Sequence, residues 1–261
     1  MLIKKQRLKL KENIARLLWK GLNHVTRTQA NNTGENAFLK NFLKSYISVP
    51  NKTLTLFDCG AKHGLYTDVI LTLLQTYNLN VDLHLFEPQK ECFEILEEKY
   101  SHKKNLHLNN LAVCKKGGTA DLYRSNSHDP LASLHKRNYC KISQGIVESI
   151  TTTRLDKYIL ENAIPHIHLL KLDIEGNELN ALEGLGKYLN PSFIDYIQFE
   201  YSNGNLASHT FLYDFFSLLE DQNFTICKLY PSHLIKARYK PWLENFQFSN
   251  FIAISKNISA I

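Results

Sequence analysis

Asp58, Glu87, Asp173 and Glu200 each stand at the end of an apolar, strand-like run of this 261-residue chain. In an open α/β sheet the carboxyl ends of the strands converge on one crevice, so acidic side chains far apart in sequence meet there. Asp58 is followed at once by a glycine turn, Gly60 to Gly64 (GAKHG), and then by a helical pattern. Glycines let a backbone approach a ligand without a Cβ clash, and the helix N-terminus behind them presents unpaired N–H groups. An aspartate at the strand tip suits a cationic amine and repels a pyrophosphate. Together these features point to S-adenosylmethionine, whose amino acid moiety carries such an amine. Glu87, in LHLFEP at the tip of the next strand, is placed to accept hydrogen bonds from both hydroxyls of a ribose. The plainer reading is an ordinary strand-turn-helix connection in which Asp58 caps the helix.

KLDIEGNE, residues 171–178, is the densest charged cluster at a strand end. Strand alternation puts Lys171, Asp173 and Glu175 on one face, and Gly176 opens the next helix. Methyl transfer from a sulfonium needs in-line alignment, which lowers such a barrier by roughly 7–11 kcal/mol, and removal of one proton from the acceptor. A base within hydrogen-bond reach adds about 10²- to 10⁴-fold. Asp173 or Glu175 could serve, one orienting and one taking the proton. The alternative is that Glu175 and Glu178 favour the helix dipole and Lys171 pairs with a carboxylate. Asp173 and Glu200 could also bracket a divalent cation, but no further ligand is evident and no metal is assigned.

Short apolar strands alternating with helical patterns position these groups. Strands are expected at 54–59, 81–86, 106–113, 168–172 and 194–199, then at 224–229 and 246–255 with no helical pattern between the last two. The expectation is a Rossmann-like, doubly wound α/β fold: a mostly parallel seven-stranded sheet with an antiparallel C-terminal strand. Residues 117–153 break the alternation with two strand-like pieces around a polar stretch that holds His128, Asp129 and His135. They read as a hairpin inserted after the third strand, either recognising an acceptor or decorating the surface.

One domain with a short arm is expected: a basic helical arm, residues 1–35, and a catalytic domain, residues 36–261. Leu10, Ile14, Leu17, Leu18, Trp19, Leu22 and Val25 recur at helical spacing, so residues 5–25 form an amphipathic helix. It is either a lid packed on the body or an interfacial helix in peripheral contact with an anionic membrane. The polar stretch ANNTGE, 30–35, marks the boundary.

Residues 1–27 hold eight lysines and arginines against one acidic residue, and the rest of the chain holds 23 against 24. A nucleic-acid enzyme spreads basic surface over its body, so no nucleic-acid partner is expected. Five scattered cysteines without a CxxC pair argue for free thiols in a reducing compartment and against a zinc site. No apolar run approaches the roughly 18 residues that span a bilayer, so a cytoplasmic protein is expected, peripheral to the inner membrane face if the arm binds lipid. Nothing in the sequence fixes an oligomeric state.

FDCGAKHGLYT, LHLFEP and LLKLDIEGNELNALEGL, with TTTRLDKYI and IDYIQFEYS, resemble in order the motifs of the FkbM family of S-adenosylmethionine-dependent methyltransferases. The resemblance covers most of residues 53–255. It implies that Asp58, Gly60, Gly64 and Glu87 bind the cofactor and that Asp173 and Glu175 stand near the transferred methyl, with Lys171 beside them. Lys62, Tyr66 and Ala112 are assigned to the same cofactor site. It further implies methylation of oxygen on a sugar, glycan precursor or secondary metabolite, beside polysaccharide biosynthesis. The family's glycine motif usually has Asn where this chain has Lys62, which either reaches the cofactor carboxylate or alters affinity. A nicotinamide-dependent oxidoreductase shares the glycine turn and acidic second strand, but no Tyr-x-x-x-Lys signature is evident. A binding module that keeps the fold without catalysis is the third reading.

Overall fold

β1 (Thr53–Cys59) lies inside a sheet, parallel to β2 (Asn80–Phe86) on one side and to β7 (Ile167–Leu172) on the other. This computed structural model describes residues 2–22, 33–49, 52–137 and 145–258. β3 (Leu106–Asn109) extends the sheet beyond β2 and β8 (Ile194–Tyr201) beyond β7, both parallel. β11 (Ser249–Ser255) runs antiparallel between β8 and β9 (Phe224–Leu229), and β10 (Leu234–Lys236) pairs antiparallel with the outer edge of β9. The expected mostly parallel sheet with its antiparallel finish is therefore present, with an eighth strand at one edge. β10 has only three residues, too few for an alternating pattern to show.

Both faces of the sheet are covered, which is why β7 and β8 are buried along their whole length and read as continuous apolar runs. On one face α2 (Glu35–Lys44), α3 (Leu65–Tyr77) and α4 (Lys90–Tyr100) pack Leu39, Phe42, Ile70 and Leu96 onto Leu56, Leu83, Leu169 and Ile252. On the other, α5 (Leu155–Glu161), α6 (Glu178–Glu183) and α8 (Leu212–Asp221) pack Leu155, Leu182, Phe215 and Leu219 onto Phe57, Leu170, Phe199 and Phe251. A short helix, α7 (Gly204–Ser208), follows β8. Strand order reverses between β1 and β7, so the crevice beyond their carboxyl ends is the topological switch point where such sheets hold ligands.

The expected third strand, 106–113, is divided. β3 ends at Asn109, and Asn110 Nδ2 donates to the carbonyls of Glu87 and Pro88 at 2.9 and 3.1 Å, tying the break to the end of β2. Ala112–Val113 then leaves the sheet as β4 and pairs with β6 (Ile146–Thr153), itself antiparallel to β5 (Gly118–Arg124). The inserted hairpin thus becomes a separate three-stranded sheet.

α1 (Leu2–Leu22) is the expected amphipathic helix. Leu10, Ile14, Leu17 and Leu18 of its apolar stripe are 47–67% exposed. No helix among the described residues is long and apolar enough to cross a membrane. α2 begins at Glu35, one residue inside the expected arm, and residues 30–32 of the expected boundary, Val25 of the arm and Cys140 lie outside the described residues.

Candidate active site

The turn after β1 takes its shape from three left-handed residues, Gly60 (φ +86°), Lys62 (φ +49°) and Gly64 (φ +79°). A Cβ on Gly60 would lie 2.0 Å from the carbonyl oxygen of Asp173, and one on Gly64 2.4 Å from the Tyr100 hydroxyl. The protein's own contacts therefore demand both glycines, before any ligand does. Lys62 adopts a conformation that is uncommon without glycine, and its N–H donates to Glu87 Oε2 at 2.9 Å. Gln89 N–H donates to Glu87 Oε1 at 2.8 Å. Glu87 is 2% exposed and is pushed up to about 7 by burial, against the lowering effect of those two N–H bonds.

β1 and β7 pair so that Asp58 stands opposite Lys171. Lys171 Nζ lies 3.2 Å from Asp58 Oδ1, 3.4 Å from Asp173 Oδ2 and 4.8 Å above the Tyr66 ring. Burial opposes its charge, but Asp58, Asp173 and Glu35 outweigh that and raise the ammonium's pKa. Asp58 is fully buried, and its other oxygen accepts a bond from Thr67 Oγ1 at 2.9 Å. Its carboxylate is therefore turned into the protein, toward a lysine, and away from the amine that sequence reasoning expects it to meet.

Asp173 lies where β7 ends. Burial opposes its charge too, but Lys171 and Lys62, with a hydrogen bond to the Glu200 side chain, hold the carboxyl below the usual range. Glu200, at the end of β8, is pushed well up by burial and by the charges of Asp173, Glu175 and Glu178. Glu175, at φ +57°, is bracketed by two cations: Lys62 Nζ at 3.2 Å and Arg137 Nη2 at 2.9 Å. Its carbonyl accepts bonds from Ser133 Oγ at 2.7 Å and Arg137 Nη2 at 3.2 Å. Glu178 is structural: its carboxylate accepts the N–H groups of Ile174 and Gly176, and burial pushes it up to about 7.

A cleft of about 480 Å³ opens beyond these strand ends. Phe86, Leu111, Ala112, Val113, Leu122 and Leu134 give it an apolar side, and Gly60, Lys62, Glu87, Asp173 and Glu175 a polar one. Of the residues assigned from sequence, Ala112 thus joins the cleft, while Asp58, Gly64, Tyr66 and Lys171 stand behind its lining. Tyr66 donates to Gln198 Oε1 at 2.8 Å, and Gln198 Nε2 donates to Glu35 Oε1 at 2.7 Å, a buried chain that sequence reasoning missed. It also missed Ser133 and Arg137. The one signal for them was that they sit in the segment that interrupts the βα alternation.

The sequence family described as "Methyltransferase FkbM domain" matches residues 58–226, well over half of the chain. The chain belongs to the FkbM methyltransferase family. It therefore carries an FkbM methyltransferase domain, and the oxidoreductase reading falls. A search of curated proteins returns no match. Among solved structures the chain resembles the CMeT domain of the citrinin polyketide synthase (10% identity, 83% of this chain and 51% of that one, TM-score 0.43). It also resembles the plantazolicin methyltransferase BpumL in complex with SAH (9%, 86% and 83%, 0.41) and a SAM-dependent methyltransferase from Aquifex aeolicus (13%, 90% and 96%, 0.40). The chain spans about half to three fifths of the length of the first structures it matches.

The cleft of this FkbM protein fits S-adenosylmethionine at one end in particular. Each Glu87 oxygen holds one backbone N–H and keeps a lone pair for a ribose hydroxyl. The apolar side suits a purine, and Lys62 Nζ, on a side chain 31% exposed, suits a carboxylate. At the amine end Asp58 is already paired with Lys171.

Proposed function

We propose that the protein methylates a hydroxyl oxygen of a sugar, glycan precursor or secondary metabolite. The observation that carries this reading is Asp173, a carboxylate at the end of β7 that lines the cleft and is held ionised by two lysines. Bound S-adenosylmethionine supplies a methyl group made electrophilic by its cationic sulfur. Asp173, kept ionised by Lys171 and Lys62, accepts the hydrogen bond of the acceptor hydroxyl and fixes one lone pair toward the methyl. A hydroxyl oxygen becomes strongly acidic only as it gains a carbon, so even this weak carboxylate base takes the proton late in the reaction. Glu175, held between Lys62 and Arg137, is an anchor, and it positions the loop that forms the acceptor side.

The near balance of charge over residues 28–261 supports a neutral polyhydroxyl acceptor over a polyanion. The decisive experiment feeds methyl-labelled S-adenosylmethionine to the purified protein with sugar and glycan fractions, and compares glycans of cells with and without the gene by mass spectrometry. A methyl ether lost on deletion is expected. Label appearing on nitrogen or carboxylate would overturn the hydroxyl reading, and no label with Asp173 intact would favour a non-catalytic module.

The second part of the proposal concerns α1, which we infer lies on an anionic lipid surface. Exposed Leu10, Ile14, Leu17 and Leu18 would enter the acyl boundary while Lys9, exposed on the opposite face, and the heads of Arg7 and Lys11, reaching outward from the apolar face, meet the headgroups. The body, residues 36–261, then works at the membrane face on a lipid-proximal acceptor.

A further inference from the structure

His63 in the glycine turn, Cys92 in the first turn of α4 and His128 in the loop after β5 bring three ligand atoms within 4.8 Å of one another. Cys92 Sγ lies 3.4 Å from His63 Nε2, and the rings of His63 and His128 are 5.5 Å apart at 61°. In a tetrahedral zinc site with Zn–S near 2.3 Å and Zn–N near 2.05 Å, sulfur and nitrogen are about 3.6 Å apart. The Cys92–His63 pair is already close to that spacing. All three donors are nitrogen or sulfur, a set that suits zinc and neither magnesium nor calcium. Cys92 is buried, His63 half-buried and His128 exposed, so the cluster has a dry floor and an open side.

We propose that His63, Cys92 and His128 form a zinc site, with Cys92 bound as thiolate and the fourth position open to solvent. Binding forms one Zn–S and two Zn–N bonds and releases the Cys92 thiol proton to water, with no change of oxidation state. The consequence is mechanical. His63 O is held by Lys99 Nζ at 2.9 Å, and Asp129, beside His128, gives its carbonyl to Gln89 Nε2 at 3.1 Å. A cation here joins the glycine turn, α4 and the insertion loop around Glu87, at the ribose end of the cleft. The inference rests on this geometry and is independent of the acceptor.

Two other clusters compete for a metal. His166, His168 and Asp195 also gather, but Thr55 N–H donates to His168 Nδ1 at 2.9 Å, which leaves the ring proton on Nε2 and so no lone pair of that ring free for a metal. Asp82, His84 and His107 contain no sulfur.

Cobalt(II) titrated into the full-length protein separates these cases. The expected result is a sulfur-to-cobalt charge-transfer band that saturates at one metal per chain, is displaced by zinc and is absent in Cys92→Ser. His128→Ala, at an exposed position that leaves the fold intact, keeps the band but weakens affinity at least about tenfold, the scale on which even outer-shell changes act. Cobalt binding without the band, a band that survives in Cys92→Ser, or unchanged affinity in His128→Ala would each overturn the proposal.

Discussion

Lys171 stands directly across from Asp58 in the β1–β7 pairing, with its ammonium 3.2 Å from Asp58 Oδ1 in the dry interior. This pair joins the strand that carries the glycine turn to the strand that carries Asp173. It also neutralises Asp58, so the negative charge presented to the cleft comes from Asp173 and Glu87. Removing one partner of such a buried pair typically costs about 3–5 kcal/mol, because the other charge is left uncompensated. Urea denaturation of Lys171→Met should show a loss of that size, and the double variant with Asp58→Asn should recover part of it. A Lys171→Met loss below about 1 kcal/mol would mean that the pair carries little.

Glu87→Gln tests the ribose contact. Charge-assisted hydrogen bonds are worth roughly 1.5–3 kcal/mol each, so S-adenosylmethionine affinity should fall about 10- to 100-fold by isothermal titration. Because burial holds the wild-type carboxyl near 7, wild-type affinity should also weaken as pH falls below about 7, whereas Glu87→Gln should be flat. A wild-type affinity independent of pH between about 6 and 8 would contradict the assignment.

The buried glutamates also set a pH dependence of folding. Glu87 and Glu178 are pushed up to about 7, above the roughly 4.3 of an exposed glutamate. The folded chain therefore binds more protons than the unfolded one between these values, and stability from this source declines as pH rises through about 7. His84 and His168, lowered by burial to about 4, are neutral in the folded chain but still partly charged in the unfolded one near pH 6.5, so they oppose the trend at about half its size. From about pH 6.5 to 8 the ligand-free protein should lose roughly 0.8 kcal/mol, with about 2–4 °C per kcal/mol in calorimetry. Glu178→Gln should remove most of that slope. A melting temperature that climbs over the window would refute the account.

Asp173→Asn removes the base but keeps the shape. Single-turnover methyl transfer should slow by about 10²- to 10⁴-fold while S-adenosylmethionine affinity stays within a few-fold. Equal losses in both would make Asp173 a cofactor contact instead of a base.

Vesicle flotation tests α1. The full chain should float with anionic vesicles and not with neutral ones, and should be released as salt rises, since each lysine or arginine near such a surface adds about 1 kcal/mol. Leu17→Glu should reduce flotation to background without altering the thermal melt, because Leu17 is 67% exposed. Equal binding to neutral vesicles would remove the electrostatic half of the argument.

The sheet was legible because its strands are buried on both faces and its helices on one, and each leaves its own period in the sequence. Glu87 and Asp173 were legible for a related reason: a carboxylate ending an apolar run has few structural uses. Arg137, Ser133 and Glu35 left no such trace. They reach the site through the closure of the insertion and of α2, and nothing local distinguishes them from surface polar residues. Asp58 shows the opposite failure: its position is as expected, but its partner is Lys171, a cross-strand neighbour 113 residues away. His63 and Cys92, 29 residues apart, come together only through the packing of the turn against α4, so no ligand spacing could reveal them.

Gly60 touches the Asp173 carbonyl with no room for a methyl group between them. Widening the pocket for bulkier acceptors by remodelling the Asp173 end of β7 would press on the cofactor turn and loosen both substrates at once. Ser133 and Arg137 reach the same loop from a separate small sheet. Exchange of the insertion is therefore the route by which a protein engineer, or natural divergence, can change the acceptor and leave the methyl donor in place.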